Sequence, residues 1–396
     1  MKKRALFGKL RKYLDNKESL IIVGMRQVGK TTLMRQLYDD IGSGRKLWFD
    51  FENPLDVKVF EDIDYNNIYK RLSNLSDGDG DQRMYVCIDE IQIFPEVTRV
   101  IKYLIDHYQV KFIVTGSSNF YLKNLFPESL SGRKFLFQLV PLSFKEYLYF
   151  QDRIEADKME DAKISEVVGI GDLFIHKSFE TDYENFLRYG GFPAVVLEKD
   201  KETKKMILKN IFASFFEKDL KILSDYKDIQ ELRDLILLLV PRVGSPLDVT
   251  RVADELGVTR SKVYDYLEFL QSTFIIKLMP RYSKGVDRSV AGGKKVYFSD
   301  TGLLGMIGNV NDSQLFENGV VNQLSKYGKL SFYNKRNKEE IDLILEKKIA
   351  FEIKLKGVDH DLAKLKKISE KLSLPEAYII SKKFVDEKGF ISPVVL

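Results

Sequence analysis

A short glycine-containing segment near the start of the chain constrains the fold more than any other feature of the sequence. It follows the apolar run 20–23, which is typical of a buried strand, and it precedes a helical pattern at 31–38. The segment fits the full pattern of a phosphate-binding P-loop and reads Gly24-Met25-Arg26-Gln27-Val28-Gly29-Lys30-Thr31. Glycines in such a loop let backbone N–H groups face a phosphate, and the helix N-terminus adds positive potential. We therefore expect an α/β domain that binds a nucleotide.

Further apolar runs predict the rest of the same sheet. They lie at residues 48–51, 84–89 and 112–116, and a helical pattern covers residues 97–107. Continuous apolar strands that alternate with helices are typical of a mostly parallel sheet. We expect this first domain to span residues 1–145.

Polar side chains in the loop and after these strands are assigned to the phosphates of a nucleotide and to Mg²⁺. Lys30 is expected to reach the β- and γ-phosphates, while Thr31 and Asp89 would bind Mg²⁺. Glu90 would act as the general base toward water. Ser117 and Asn119 are candidates for sensing the γ-phosphate, although an ordinary turn explains them equally well. The predicted nucleotide-binding set is Gly24, Arg26, Gln27, Val28, Gly29, Lys30, Thr31, Thr32, Asp89, Ser117 and Asn119.

An arginine that stabilises charge during phosphoryl transfer is also expected. Arg133, which follows Ser131-Gly132, is one candidate, and Arg26 inside the loop is the other. The competing interpretation of Arg133 is an ordinary surface residue.

The middle of the chain is predicted to be helical over residues 146–240 and to form a winged helix over 241–299. Helical patterns at 249–256 and 259–270 flank Gly257, and two strand patterns follow. The presumed wing, residues 277–295, carries six basic residues against one acidic residue. Such basic residues can contact DNA phosphates, although winged helices also dock proteins. The side chains predicted to contact DNA from the second helix are Arg260, Ser261, Lys262 and Tyr264.

Residues 300–396 are predicted to form a second, smaller α/β domain with a charged constellation. Glu317 lies on a predicted helix, Asp342 opens a predicted strand, and Glu352 and Lys354 share one face of the next strand. Carboxylates held together in this way can bind Mg²⁺ or Mn²⁺, and Lys354 could orient a water molecule for phosphodiester cleavage. A solvated strand face and an inactive binding fold are the alternatives.

Several motifs resemble those of a large prokaryotic family that joins an AAA-type P-loop ATPase domain to a C-terminal domain of unknown function, DUF4143. The resemblance rests on the P-loop and on seven short motifs: Asp89-Glu90-Ile91-Gln92, Thr115-Gly116-Ser117-Ser118, Gly132-Arg133, the segment 141–148, Gly190-Gly191-Phe192-Pro193, the segment 217–220, and Phe316-Glu317-Asn318. It implies ATP binding and hydrolysis, and suggests that Arg133 matters to the nucleotide cycle.

The last hundred residues also resemble a restriction-endonuclease-like core, although Ile341 replaces the proline that often precedes the aspartate, here Asp342.

Composition excludes several classes of protein. The 396 residues carry 63 basic and 58 acidic side chains, and this balance is too even to indicate nucleic acid binding by itself. No run approaches the ~18–20 apolar residues of a membrane span. One cysteine rules out an intramolecular disulfide, and a cytoplasmic location is expected. Three scattered histidines give no zinc pattern.

Two functions are consistent with these features. In the first, ATP gates a metal-dependent nuclease that processes DNA. In the second, the chain is a nucleotide switch whose nuclease-like domain only binds a partner. Assembly into an oligomer is compatible with both.

Overall fold

The computed structural model describes residues 1–77, 81–117, 132–159, 164–167, 172–219, 226–283, 293–335 and 339–396. Their contacts divide the chain into two compact units. Unit 1 comprises residues 1–140 and 272–274, and unit 2 comprises residues 141–271 and 275–396. The parts predicted to be a helical region, a winged helix and a C-terminal domain therefore fall mostly within unit 2.

Unit 1 is built on a five-stranded parallel sheet of order β2-β3-β4-β1-β5. Its strands are β1 (Ser19–Val23), β2 (Lys46–Asp50), β3 (Tyr85–Asp89), β4 (Lys111–Gly116) and β5 (Lys134–Gln138). Its helices are α1 (Ala5–Arg11), α2 (Lys30–Asp40), α3 (Pro54–Lys58), α4 (Tyr65–Leu75) and α5 (Val97–Tyr108), with a 3₁₀ turn at Ile91–Ile93. The four predicted strands and the α/β class are confirmed.

The strands differ in burial, and this explains why β5 was not predicted. Every residue of β1, β3 and β4 is buried, so these central strands have the apolar runs of a sheet covered on both faces. Cys87, in the middle of β3, is fully buried. β5 lies at an edge of the sheet and leaves half of the Leu136 side chain exposed, and its apolar run is only three residues long, Phe135-Leu136-Phe137.

The first half of unit 2 is helical, as predicted. Its helices are α6 (Phe144–Phe150), α7 (Ile164–Val167), α8 (Leu173–Tyr189), α9 (Pro193–Leu197), α10 (Lys201–Ser214) and α11 (Tyr226–Leu239). Shorter turns lie at Ala156–Met159, Phe215–Asp219 and Val240–Arg242. Helices α12 (Val249–Leu256) and α13 (Arg260–Ser272) then flank Gly257, and β6 (Ile276–Met279) pairs antiparallel with β7 (Lys295–Phe298).

The end of unit 2 is a mixed five-stranded sheet. It follows α14 (Thr301–Ile307) and α15 (Asp312–Leu324) and contains β8 (Leu330–Lys335), β9 (Glu339–Leu345), β10 (Ile349–Lys354), β11 (Glu376–Ser381) and β12 (Phe390–Ile391). Helix α16 (Asp359–Leu372) precedes β11, and a 3₁₀ turn covers Pro393–Val395. The strand order is β12-β11-β10-β9-β8, with β8, β9 and β10 antiparallel and the others parallel. Asp342 lies inside β9 and not at its start, which corrects the sequence-based expectation.

A buried carboxylate joins two helical segments of unit 2. Asp300 caps α14 by accepting a hydrogen bond from the Leu303 N–H at 2.9 Å, and it also accepts one from the Gly191 N–H at 2.8 Å. Gly190 adopts a φ of 75°, and a Cβ there would lie 2.1 Å from the Asp300 carboxylate. This contact explains Gly190, and the Leu142 carbonyl oxygen, 2.3 Å from a Cβ at the next position, explains Gly191.

Among the helices that the structure describes, none combines the length and apolarity required to cross a bilayer.

We predict that Asp300 makes the stability of the protein depend on pH. Burial raises the pKa of Asp300 to about 6 from 3.8, so the folded protein binds a proton over that interval and the unfolded chain does not. Its contribution to the free energy of unfolding should fall by about 3 kcal/mol as pH rises from 3.8 to 6 and stay constant above. Denaturant unfolding across this range should show the slope reduced in Asp300→Asn and retained in the exposed control Asp312→Asn. Equal slopes in the two variants would contradict the assignment.

Candidate active site

The predicted P-loop bends sharply between β1 and α2. Gln27 and Gly29 adopt positive φ values of 63° and 97°, and a Cβ at Gly24 would lie 2.1 Å from the Leu139 carbonyl oxygen. Lys30 Nζ donates hydrogen bonds to the carbonyl oxygens of Gly24 at 3.0 Å and Met25 at 2.9 Å. The backbone therefore has the tight curvature that a phosphate cradle requires.

A buried arginine that the sequence analysis missed supports this loop. Arg4, just before α1, donates hydrogen bonds to the Val28 carbonyl at 2.8 Å and to the Val140 carbonyl at 2.8 Å. Both acceptors are backbone atoms, so no local sequence pattern indicates the contact. Arg4 thus holds the P-loop backbone at Val28.

The parallel sheet brings the P-loop and the acidic pair together at the edge formed by the carboxyl ends of its strands. Val23 pairs with Gly116, and Ile88 pairs with Val114, so the carboxyl ends of β1, β4 and β3 are adjacent. The Thr115 hydroxyl donates a hydrogen bond to Asp89 and accepts one from the Glu90 N–H at 3.2 Å. Thr115, which was not among the predicted site residues, therefore joins the two acids.

Both carboxylate oxygens of Glu90 face donors. The guanidinium of Arg26 lies 3.9 Å from Oε1, and the Gln92 side-chain amide donates a hydrogen bond to Oε2. Gln92 Oε1 in turn accepts a hydrogen bond from the Ser117 N–H at 3.4 Å. Gln92 thus connects Glu90, the predicted base, to the end of β4. In the sequence, the only sign of a role for Gln92 was its position in the motif that begins with Asp89-Glu90.

Ser117 carries an unsatisfied polar atom at this edge. Its hydroxyl is buried, and it has no hydrogen-bond partner among the residues that the structure describes. Such an atom usually marks a place where a ligand or water binds. Asn119, the other predicted sensor, lies outside the described residues.

Magnesium and a nucleotide fit these residues. Thr31 and Thr32 are exposed at the start of α2, whose N-terminal amides receive no side-chain cap from the described residues. Asp89 is 5% exposed and contributes a carboxylate at the same edge. Mg²⁺ prefers a hydroxyl, one or two carboxylates and phosphate oxygens, so Thr31 and Asp89 would hold it with ATP.

Arg133 lies away from the P-loop of its own chain, and its role as a charge-stabilising arginine stays a prediction. Its neighbour Lys134 pairs with Ser19, at the start of β1, whereas the P-loop follows the end of that strand. At ~3.3 Å per residue, the length of β1 separates them by more than about 13 Å. The Arg133 side chain instead pairs with Asp106 at 2.7 Å.

The predicted DNA-contacting residues separate into two groups. Arg260, Ser261 and Tyr264 are exposed on α13. In contrast, Lys262 pairs with Asp228 at 2.7 Å and with Glu231 at 2.6 Å. Lys284 and Arg288 of the wing lie outside the described residues. Lys262 is therefore held by carboxylates of unit 2, whereas Arg260, Ser261 and Tyr264 remain exposed.

Two other lysines of the predicted wing are engaged within unit 2, Lys277 partly buried and Lys295 buried. Lys277 donates a hydrogen bond to Ser325 at 3.3 Å, and burial lowers the pKa of Lys277 to about 8. Lys295 is 1% exposed. The buried ammonium of Lys295 is therefore not placed to contact a DNA phosphate.

The four charged residues predicted in the C-terminal part come together. Asp342 and Glu352 lie on adjacent strands, one residue beyond the pair formed by Leu343 and Phe351. Lys354 pairs with Glu352 at 2.9 Å. Burial, reinforced by the Asp342 carboxylate, raises the pKa of Glu317 and of Glu352 to about 7. The four side chains thus lie close together, and Lys354 is the most exposed of them at 38%.

The fit of this constellation to a metal ion is poor. Within the described ranges, no three His, Cys, Asp or Glu side chains are arranged to hold a metal ion. The ammonium of Lys295 lies 3.8 Å from Glu317 and 3.1 Å from Glu340, so a cation of the protein already contacts the cluster.

Three family models match successive parts of the chain. Residues 16–148 match a model described as an AAA domain, residues 180–314 match a domain of unknown function (DUF8612), and residues 313–389 match another (DUF4143). The motifs at 190–193 and 217–220, which we had attributed to DUF4143, therefore fall within DUF8612. Residues 16–148 form an AAA-type P-loop ATPase-like domain.

Relatives in distant organisms share most of the chain. An uncharacterized protein of Haemophilus influenzae is 27% identical over 84% of this chain and 82% of its own. One from Methanocaldococcus jannaschii is 23% identical over 82% and 71%. Among solved structures, the Walker-type ATPase of Pyrococcus abyssi aligns with a TM-score of 0.46 at 16% identity, covering 76% of this chain and 94% of that one. The Aeropyrum pernix ORC1 protein in complex with DNA aligns with a TM-score of 0.31 at 14% identity, covering 76% and 91%.

We predict that Gln92 orients Glu90 for its reaction with water. Replacing Gln92 by Ala removes the amide that fixes one carboxylate oxygen, and a misplaced base costs rate more than substrate binding. Steady-state ATPase assays should show kcat reduced about tenfold and KM nearly unchanged in Gln92→Ala. The exposed control Gln271→Ala should retain both values. A change confined to KM would exclude this role.

Proposed function

We propose that the chain binds and hydrolyses ATP with Mg²⁺ at the edge of the unit 1 sheet. One observation carries the proposal: the P-loop, the Asp89-Glu90 pair and the unsatisfied Ser117 hydroxyl follow neighbouring parallel strands at the same edge. Phosphoryl transfer needs mainly positioning and charge stabilisation, and these residues supply both.

Each residue has a distinct part in the proposed reaction. Lys30 would exchange its contacts with the Gly24 and Met25 carbonyls for phosphate oxygens. Thr31 and Asp89 would hold Mg²⁺, which neutralises negative charge on the β- and γ-phosphates when bound. Glu90 would accept a proton from the attacking water, and the Ser117 hydroxyl would contact the γ-phosphate.

We further propose that the cycle works as a nucleotide switch that controls a binding function of unit 2. Three of the basic residues predicted to contact DNA, Lys262, Lys277 and Lys295, are engaged inside unit 2, and this favours a partner other than DNA. A switch holds its nucleotide and turns over slowly. We expect turnover below about 1 s⁻¹, against a median of ~10 s⁻¹ for enzymes.

Two substitutions separate binding from hydrolysis. Glu90→Gln should retain ATP binding and lower turnover by at least ~100-fold, because the amide cannot accept the proton. Lys30→Ala should weaken ATP binding itself. Phosphate-release assays combined with fluorescent-nucleotide titration distinguish the two effects.

The exposed Lys348 provides the matched control for the lysine substitution. Lys348→Ala should behave like the unsubstituted protein in both assays. Equal turnover in Glu90→Gln and the unsubstituted protein would remove Glu90 from the mechanism, and unchanged affinity in Lys30→Ala would remove the P-loop.

Metal-dependent cleavage of DNA by the C-terminal cluster is the second candidate function. It is favoured by the approach of Asp342 and Glu352 on adjacent strands with Lys354 beside them. The exposed Arg260, Ser261 and Tyr264 would then contact DNA. The buried ammonium of Lys295 argues against this function, because it repels a divalent ion.

We therefore expect no DNA cleavage. The assay uses supercoiled and single-stranded DNA with Mg²⁺ or Mn²⁺, with and without ATP, beside an Asp342→Ala control. Background-level cleavage in both proteins is the expected result. Cleavage that the control abolishes would establish the nuclease instead.

A further inference from the structure

The carboxylates of the C-terminal cluster already have partners within unit 2. The Tyr297 hydroxyl donates a hydrogen bond to Glu317 at 2.7 Å, and the Ile353 N–H donates one to Asp342 at 2.9 Å. Glu352 pairs with Lys354. The lone pairs that a metal ion would need are therefore partly committed to protein donors.

Lys295 enters the cluster from a different element. It lies at the start of β7, in the hairpin that follows α13, and its ammonium approaches Glu340 at 3.1 Å and Glu317 at 3.8 Å. The aliphatic and aromatic surroundings include the Phe332 ring, whose centre lies 5.3 Å from Nζ. A buried ammonium is stable only beside compensating negative charge, so Lys295 depends on these carboxylates.

The backbone around Lys295 is held firmly. Asn318 accepts a hydrogen bond from the Phe298 N–H and donates one to the Phe298 carbonyl, both at 2.8 Å. At the other end, just before β7 begins, the Leu247 N–H donates a hydrogen bond to the Lys294 carbonyl at 2.8 Å. Both ends of the strand are therefore fixed, and the Lys295 side chain that extends from it is 1% exposed.

We propose that Lys295 is the resident cation of the C-terminal acidic cluster and takes the position that a divalent metal would need. The cluster then acts as an ionic lock between the β6–β7 hairpin and the segment formed by α15, β9 and β10. It excludes Mg²⁺ and Mn²⁺, because a divalent ion bound to Glu317 and Asp342 would lie close to the ammonium and be repelled by it. The motif Phe316-Glu317-Asn318 contributes to this lock. Glu317 contacts the Lys295 ammonium, and Asn318 holds β7 through its hydrogen bonds to Phe298.

Manganese binding to nucleotide-free protein tests this proposal without reference to any catalytic activity. Electron paramagnetic resonance measures free Mn²⁺ in the presence of the unsubstituted chain, of Lys295→Met and of the exposed neighbour control Lys294→Met. We expect the unsubstituted chain and the control to bind no Mn²⁺ at the cluster. Lys295→Met should gain one Mn²⁺ site, and Lys295→Met combined with Asp342→Asn should lose it again.

Two results would overturn the proposal. One is stoichiometric Mn²⁺ binding by the unsubstituted chain that Asp342→Asn abolishes, because the metal would then coexist with Lys295. The other is a folded Lys295→Met variant, verified by circular dichroism, that still binds no Mn²⁺. If Lys295→Met does not fold, Lys295→Gln takes its place, and the comparison of the unsubstituted chain with Asp342→Asn still decides the first point. Failure of ATP hydrolysis would affect neither measurement.

Discussion

Hydrogen bonding among three parallel strands determines where the P-loop meets the acidic pair in this chain. β4 lies between β1 and β3, so the P-loop, the end of β4 and the Asp89-Glu90 pair converge although they are far apart in sequence. Thr115 and Gln92 then connect the strand ends through their side chains. Moving any one of these strands by a single residue would turn its terminal side chains to the other face of the sheet.

Unit 2 shows how the same kind of residue serves a different purpose when its partners change. Buried acids beside an open, water-filled space are suited to metal binding, but buried acids beside a fixed lysine are neutralised internally. Lys295 places the C-terminal cluster in the second class. The resulting ion cluster joins β7 to β9 and β10, which lie about fifty residues later in the sequence. The acidic motif therefore has a structural role that does not depend on catalysis.

Local patterns allowed much of the fold to be predicted, and long-range contacts account for most of the errors. The P-loop, β1, β3 and β4 were predictable because a motif and continuous apolar runs identify them. The proximity of Asp342 and Glu352 was predictable because a hairpin between the two predicted strands can bring them together. Sequence could not reveal that Lys262 pairs with Asp228, that Lys295 is buried, or that Arg133 lies at the opposite end of β1, since each depends on residues distant in the chain. Arg4 was missed for the same reason, because backbone carbonyls have no side-chain signature.

The position of Cys87 has a practical consequence for studying this protein. It is the one cysteine of the sequence, and it lies two residues before Asp89, in the middle of a strand paired on both sides. Burial raises the pKa of the Cys87 thiol, so a thiol reagent can modify it only when the sheet opens. The rate of modification therefore measures the opening of the strand that carries the acidic pair. Surface cysteines introduced elsewhere can be labelled selectively while this native thiol remains protected.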